Sequence, residues 1–321
     1  METERHDEIV AGVIMEVIAI VGISVSLAAV YLIYRSPSFH NAFGIICASH
    51  LLADVGLLSI FLLWTGPASF LGFSKSQTES YVGKRIGQFS MLFWYASIYG
   101  QLQLAINRLI AITSPVLYNS IFSPRRTLQM LIFFWTLSFV HIIVYFWDGC
   151  DFTFNVPSMV WDYATTSCGE IISFYLDFVH GTTLCIAIII LDTVTFIGIY
   201  KQVQKLSGST TGQHDLNMLR KNVRLYIQAC LQAGCFALMI CSFHILSRLV
   251  KTNWQTFFLT TFVWETAHAL DGVIIFMFYE SFRKVLCRPS CLQRKNLKGN
   301  TITKGTMFST SRTFPSLSVV C

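Results

Sequence analysis

"LAINRLIAITSPVLY", residues 104–118, ends a long apolar run with a single permanent positive charge, Arg108. A guanidinium is costly in hydrocarbon. The stretch therefore either leaves the membrane at Arg108 or holds the arginine for a purpose. Working outward, the run containing it covers 86–112, and six others share its character: 9–34, 42–66, 127–147, 173–200, 223–247 and 254–280. Crossing a bilayer takes about 20 apolar residues, and in lipid the backbone must satisfy its own hydrogen bonds, so such spans are helices. The expectation is an all-α membrane protein, a bundle of seven transmembrane helices.

Composition agrees. Of 321 residues, 54% are hydrophobic and 12% charged, with mean hydropathy +0.57; a water-soluble domain carries roughly 25% charged residues. The acidic opening "METERHDE", residues 1–8, is expected outside, followed by an uncleaved first helix, because the apolar run is too long for a cleaved signal. With the N-terminus outside, 17 of the 23 Lys and Arg fall on the cytoplasmic side and 6 on the other. That asymmetry favours N-out, C-in. The net charge of +6 then belongs to a cytoplasmic face against anionic membrane lipid, not to a nucleic-acid binder.

Cys150 and Cys168 share the 148–172 loop, which is outside, acidic and free of Lys and Arg. An oxidising location and proximity in the chain point to a disulfide, the alternative being two free thiols. Cys287 and Cys291 follow the last helix on the cytoplasmic side, where palmitoylation is expected. Residues 281–291 suit a short amphipathic helix on the inner leaflet. The seven-helix unit thus extends over 9–295, and the Ser/Thr-rich 296–321 reads as a disordered tail.

Helical spacing back from Arg108 gives Gln101, Ser97, Trp94, Ser90 and Gly87 on one face of the third helix, with Leu92, Tyr99, Leu102, Ile106 and Leu109 opposite. The plain reading of Arg108 alone is an interfacial side chain snorkelling to headgroups. The residues C-terminal to it change that reading. "NRLIAITSPVLY" resembles the junction after the third helix of seven-helix G-protein-coupled receptors, with Pro115 and Tyr118 at matching distances. "LLAD" places Asp54 where that family has a mid-membrane acid, and Asp271 stands at the position of its seventh-helix acid or amide. A closer resemblance is to the nematode serpentine chemoreceptors of class X. It rests on "YRSPSFHNAFGIICASHLLAD", "INRLIAITSPVLYNSIFSPRRT" and "HALDGVIIFMFYESFRK" and covers nearly the whole chain.

The resemblance implies a chemosensory receptor whose extracellular small-molecule ligand activates a heterotrimeric G protein. It also implies a plasma-membrane or sensory-cilium location, with arrestin as a further partner for a phosphorylated tail. Arg108, Asn107, Pro115 and Tyr118 would meet the G protein, flanked by Lys201, Lys205, Arg220, Lys221 and Arg224. Carried over by position, Asp54, Ser97, His268 and Asp271 converge in mid-bundle, joined by His50, which is i,i+4 to Asp54. Two carboxyls so close should share a proton or a cation; the alternative is a structural hydrogen-bond network. Three departures from the rhodopsin-like pattern stand out. Asn107 replaces the acid before the arginine, leaving Arg108 without an adjacent ionic partner. Gly83 replaces the third-helix cysteine, and Asp271-Gly272 replaces Asn-Pro.

Polar and aromatic residues in the outer halves, namely Ser90, Met91, Trp94, Tyr175, Asp177, Phe178, His180, His244, Trp264 and Glu265, are candidates to line a ligand pocket. Their plain reading is interfacial belt and packing. No cofactor or metal is expected. A seven-helix channel or transporter is the alternative function, although no pair of Gly/Pro-broken helices recurs in two halves as a transporter would have. An enzyme is disfavoured, because the eight His are scattered and no nucleophile accompanies the carboxyls.

Overall fold

The computed structural model describes residues 2–207 and 213–278. The expected amphipathic segment at 281–291, with Cys287 and Cys291, and the tail at 296–321 lie outside the described residues, as do the side chains of Lys205, Arg220 and Lys221.

Seven long helices form one bundle. The first is Glu2–Arg35, the second Ala42–Leu71, the third Tyr81–Thr113 and the fourth Pro124–Phe146. The fifth starts at Ser167–Ile171, passes through a π-helical stretch, Ile172–Val179, and continues as His180–Ser207. The sixth is Gln213–His244, and the seventh, Asn253–Phe278, is interrupted only at Thr260. Side-chain caps set several starts: Asn41, Ser80, Thr166 and Thr252 each accept from the backbone N–H three residues on. Such caps satisfy donors that the first turn leaves free. Hence the third helix begins at Tyr81, ahead of the apolar run at 86, with Lys84 and Arg85 in its opening turns.

Six of these helices are long and apolar enough to cross a membrane by composition. The third is the polar one, and its place in the bundle explains why. Gln88, Ser90, Ser97, Gln101, Gln103, Asn107 and Arg108 are all buried along it, so protein rather than lipid meets these groups. Tyr99, expected on the face opposite Arg108, is also buried; its hydroxyl meets His141 Nε2 at 2.8 Å and His180 Nε2 at 3.1 Å. The third helix is central, with no face given wholly to lipid.

Between the fourth and fifth helices the chain forms an antiparallel hairpin, β1 (Phe152–Asn155) and β2 (Val160–Tyr163), with Phe152 opposite Tyr163. The hairpin caps one end of the bundle with buried aromatics, Phe152, Phe154, Trp161 and Tyr163. Its backbone lies directly on the third helix at Gly87, where a Cβ would overlap the Phe152 carbonyl. Lys84 binds Asp151 at 2.7 Å, and Cys150 is disulfide-bonded to Cys168. The bridge therefore stays within the loop, as the lack of a cysteine at Gly83 requires.

Closing a loop of this size is worth about 3 kcal/mol in the chain-entropy model. Cys150→Ser is expected to lower the thermal unfolding midpoint of the purified chain, and Cys168→Ser in addition to lower it no further. Additive losses would show that each cysteine acts on its own.

Candidate functional site

Three sites run in sequence through the bundle. At the hairpin end lies a small cavity of about 20 Å3, bounded by Met91, Trp94, Phe152, Met239, Ile240, Phe243 and Trp264 with Asp177 and His244 as its polar wall. Asp177 Oδ2 accepts from the Tyr163 hydroxyl at 2.8 Å and faces His244 Nε2 at 3.2 Å. The hairpin, fifth helix and sixth helix thus meet on one carboxylate oxygen. Burial, and then the neighbouring carboxylate, push the Tyr163 phenol well above its ordinary pKa range, so it remains a donor. Trp94 forms the floor, stacked on Phe236 at 4.9 Å between ring centres and meeting His268 edge-on at 6.1 Å. Its buried indole N–H has no acceptor among the described residues.

Below Trp94 the five residues expected in mid-bundle do come together. Asp54 Oδ1 accepts from Ser97 at 2.8 Å and lies 2.7 Å from His268 Nδ1. His50 Nε2 lies 3.5 Å from Asp54 and 3.2 Å from Asp271. The approach of His50 is possible because Gly100 faces it; a Cβ there would sit 2.9 Å from His50 Cβ. Asp271 also accepts from Gln101 at 3.0 Å and Gln232 at 3.2 Å. The two carboxyls are buried, and imidazoles, amides and a hydroxyl surround them, as a desolvated charge requires. His50, Asp54 and Asp271 also present ligand atoms within 4.8 Å of one another.

Gln101 and Gln232 continue downward to line a second, small cavity with Arg108 and Asp192. Arg108 donates from Nε at 3.3 Å and from Nη2 at 2.9 and 3.2 Å to the Asp192 carboxylate of the fifth helix. Both side chains are less than a tenth exposed. The counter-charge missing beside Arg108 in the chain is thus supplied across the bundle, by a residue that sequence reasoning passed over. Asp192 was detectable as a lone acid inside an apolar span, a functional candidate by default. The neutral Asn107 instead donates from Nδ2 to the Tyr118 hydroxyl at 3.2 Å, on the short helix Pro115–Ile121. Lys201 is exposed and Arg224 half-buried at the same end.

Of the expected pocket residues, Met91, Trp94, Asp177, His244 and Trp264 border the cavity. Phe178 packs its ring 5.0 Å from His244. Four others do not line it. The Ser90 hydroxyl is engaged by the Gly87 carbonyl at 2.7 Å. Tyr175 is 60% exposed on the bundle's outside. His180 turns to Tyr99 and lies 4.7 Å between ring centres from His141. Glu265 is buried on the seventh helix outside the cavity. Tyr175 stands two residues from Asp177 and therefore on the other side of the helix; for His180 the reason is the preceding π-helical stretch, which rotates the fifth helix away from the 3.6-residue phase.

A family model described as serpentine type 7TM GPCR chemoreceptor Srx matches residues 17–279. Serpentine receptor class X 45 of Caenorhabditis elegans is 24% identical over 324 residues, covering 96% of this chain and 89% of that protein. Serpentine receptor class X-43 of the same organism is 24% identical, with 88% of each chain covered. The crystal structure of squid rhodopsin superposes with a TM-score of 0.66 at 14% identity, over 91% of this chain and 87% of that one; it is similar in fold.

Removing one partner of a buried ion pair strands the other, at a cost of about 3–5 kcal/mol. Asp192→Ala is expected to destabilise the purified chain by about that much, and Arg108→Ala/Asp192→Ala by clearly less than the two single losses combined. Additive losses in thermal unfolding would sink the direct coupling.

Proposed function

Given that the chain belongs to the serpentine seven-transmembrane GPCR chemoreceptor family Srx, we propose a division of labour among its three sites. The chain is a multi-pass membrane protein of a receptor family, and a G-protein-coupled chemosensory role follows from the family. The channel or transporter alternative is not favoured.

In this reading the hairpin end is extracellular and the cavity beneath it takes the ligand. Its wall is mainly apolar and aromatic, with one carboxylate already engaged by Tyr163 and His244. Trp94 brings a buried indole donor that lacks an acceptor among the described residues. That chemistry suits a small, largely apolar molecule carrying one hydrogen-bond acceptor. The carrying observation is continuity. Trp94 borders both the cavity and His268; His268 is bonded to Asp54; and Asp271 is bonded to Gln101 and Gln232, which line the Arg108–Asp192 cavity.

A ligand that prefers one arrangement of Trp94 shifts the population of the whole chain of contacts. The Arg108–Asp192 pair holds the resting arrangement, and its release lets the third and fifth helices separate for the G protein. Asn107, Pro115, Tyr118, Lys201, Lys205, Arg220, Lys221 and Arg224 then border the opening. Tail phosphorylation, arrestin capture, palmitoylation at Cys287 and Cys291, contact with inner-leaflet lipid, and residence in the plasma membrane of a sensory cilium complete the proposal.

The test is G-protein activation in cells at matched surface levels, recorded with whole-cell current. Arg108→Ala should abolish activation, and Asp192→Asn should raise the basal level several-fold with current flat. Asp54→Ala and Asp271→Ala should shift basal activity, whereas unchanged basal signalling would remove the mid-bundle network from the switch. Once an agonist is found, Trp94→Ala and His244→Ala should each reduce its potency at least tenfold. Current that persists under G-protein blockade would refute the receptor reading.

A further inference from the structure

Glu265 belongs neither to the cavity nor to the mid-bundle network. Its side chain is fully buried, and both carboxylate oxygens lack a hydrogen-bond partner among the described residues. Thr261, four residues earlier on the same face, is equally buried, and its hydroxyl is without a partner there too. Oxygens left unsatisfied inside a packed bundle call for an occupant.

The neighbouring helix supplies the second half of a site. The first and seventh helices run parallel and in close contact, with Gly22 against Ala269 and Ser26 against Gly272. One turn further toward the hairpin end, this register sets Glu265 beside the segment that holds Glu16. A helical side chain leans toward its own N-terminus, which carries the Glu265 carboxyl toward Glu16. The Glu16 carboxyl in turn lies against Gly66 of the second helix, where a Cβ would overlap its Oε1. Glycine therefore leaves the space that the carboxyl occupies.

Among the described residues no basic side chain pairs with either carboxyl. Arg5, on the first helix, is committed to Glu8 and to the carbonyls of Ser69 and Phe70. Burial disfavours a lone carboxylate charge, and a single divalent ion lets both carboxyls ionise by balancing their two charges. The donor set is all oxygen, which selects a hard cation over the softer metals that favour imidazole or thiolate. The mid-bundle carboxyls differ: hydroxyl, imidazole and amide groups already bond Asp54 Oδ1 and both Asp271 oxygens, and His50 faces both carboxyls, although Asp54 Oδ2 has no hydrogen bond among the described residues.

We propose that Glu16 and Glu265, with the Thr261 hydroxyl, form a binding site for a divalent hard cation of the Ca2+ type between the first, second and seventh helices. The ion ties the first helix to the seventh. This assignment is independent of the ligand cavity and of the Arg108 switch, and it stands or falls separately from them.

The test uses the full chain in lipid nanodiscs at neutral pH, titrated with CaCl2 against NaCl at equal ionic strength. The thermal midpoint should rise by several degrees in a saturable way, as binding to the folded state alone requires. Tb3+ luminescence sensitised by Trp264, the residue adjoining Glu265, should appear and be displaced by Ca2+. Glu265→Gln and Glu16→Gln, nearly isosteric changes that remove unpaired charge, should abolish the increment. Gly66→Ala should weaken it by displacing the Glu16 carboxyl. Asp54→Asn should retain it, which separates this site from the mid-bundle carboxyls. A native midpoint that ignores Ca2+, or moves only with pH as a shared proton would make it, overturns the proposal. So does an increment that survives Glu265→Gln or vanishes with Asp54→Asn alone.

Discussion

A guanidinium that stays inside a membrane bundle must meet a negative charge there, and the contact between Arg108 and Asp192 satisfies that demand. Much of the architecture depends on it. The third helix has to be central, so that its charged end faces another helix and not lipid. Being central, it can also carry Gln88, Ser97, Gln101, Gln103 and Asn107, all buried, where a peripheral helix could not. The peripheral helices keep the apolar composition that defines a membrane span, and the third gives it up.

The same demand recurs one level higher. Asp54 and Asp271 are both desolvated, and neither is left to itself. His50 bridges them, Ser97 and His268 hold Asp54, and two glutamines hold Asp271. Because Gln101 and Gln232 serve both Asp271 and the wall of the Arg108 cavity, the two charged centres share their neutral partners. Moving one centre disturbs the hydrogen bonds of the other. Contact with the hairpin-end cavity runs through Trp94, which lies in ring contact with both Phe236 and His268. The third helix is therefore the common wall of all three sites, and the small Gly87 and Gly100 are what let the hairpin and the second helix close onto it.

Some of this was legible in the sequence and some was not, for identifiable reasons. Six of the spans are plain in the hydropathy, the more polar third shows as the run 86–112, and the His50–Asp54 pair shows in a four-residue spacing that needs no tertiary knowledge. Cys150 and Cys168 were paired by sharing one loop. Asp192 was not legible as a partner because the chain shows only what stands beside Arg108 in order, whereas a counter-charge needs proximity only in space. The fifth-helix errors have a different origin. A regular helical wheel places Asp177 and His180 on one face, but the π-helical stretch at Ile172–Val179 turns Asp177 to the cavity and His180 toward Tyr99 and His141. Periodicity cannot be read across such a change of pitch. Glu265 looked like a pocket acid on hydropathy alone, and only the packing of Gly22 on Ala269 shows that its face turns to the first helix.

Placing the arginine's partner on another helix changes what the pair can report. An acid next to the arginine in the chain moves with it, so their contact is indifferent to the rearrangement of helices. Asp192 belongs to the fifth helix, so its contact with Arg108 survives only while the third and fifth helices keep their spacing. A buried pair of this kind adds little net stability over apolar packing, yet losing one partner costs about 3–5 kcal/mol. That combination is nearly neutral within one arrangement and penalises departures from it, which is what a two-state element needs. The penalty also bounds the trigger: carrying such an equilibrium from 1:99 to 99:1 takes about 5.5 kcal/mol of differential binding. A single small ligand can supply energy of that order. The neutral Asn107–Tyr118 contact carries no comparable penalty, so in this chain the constraint on the third helix rests with the fifth.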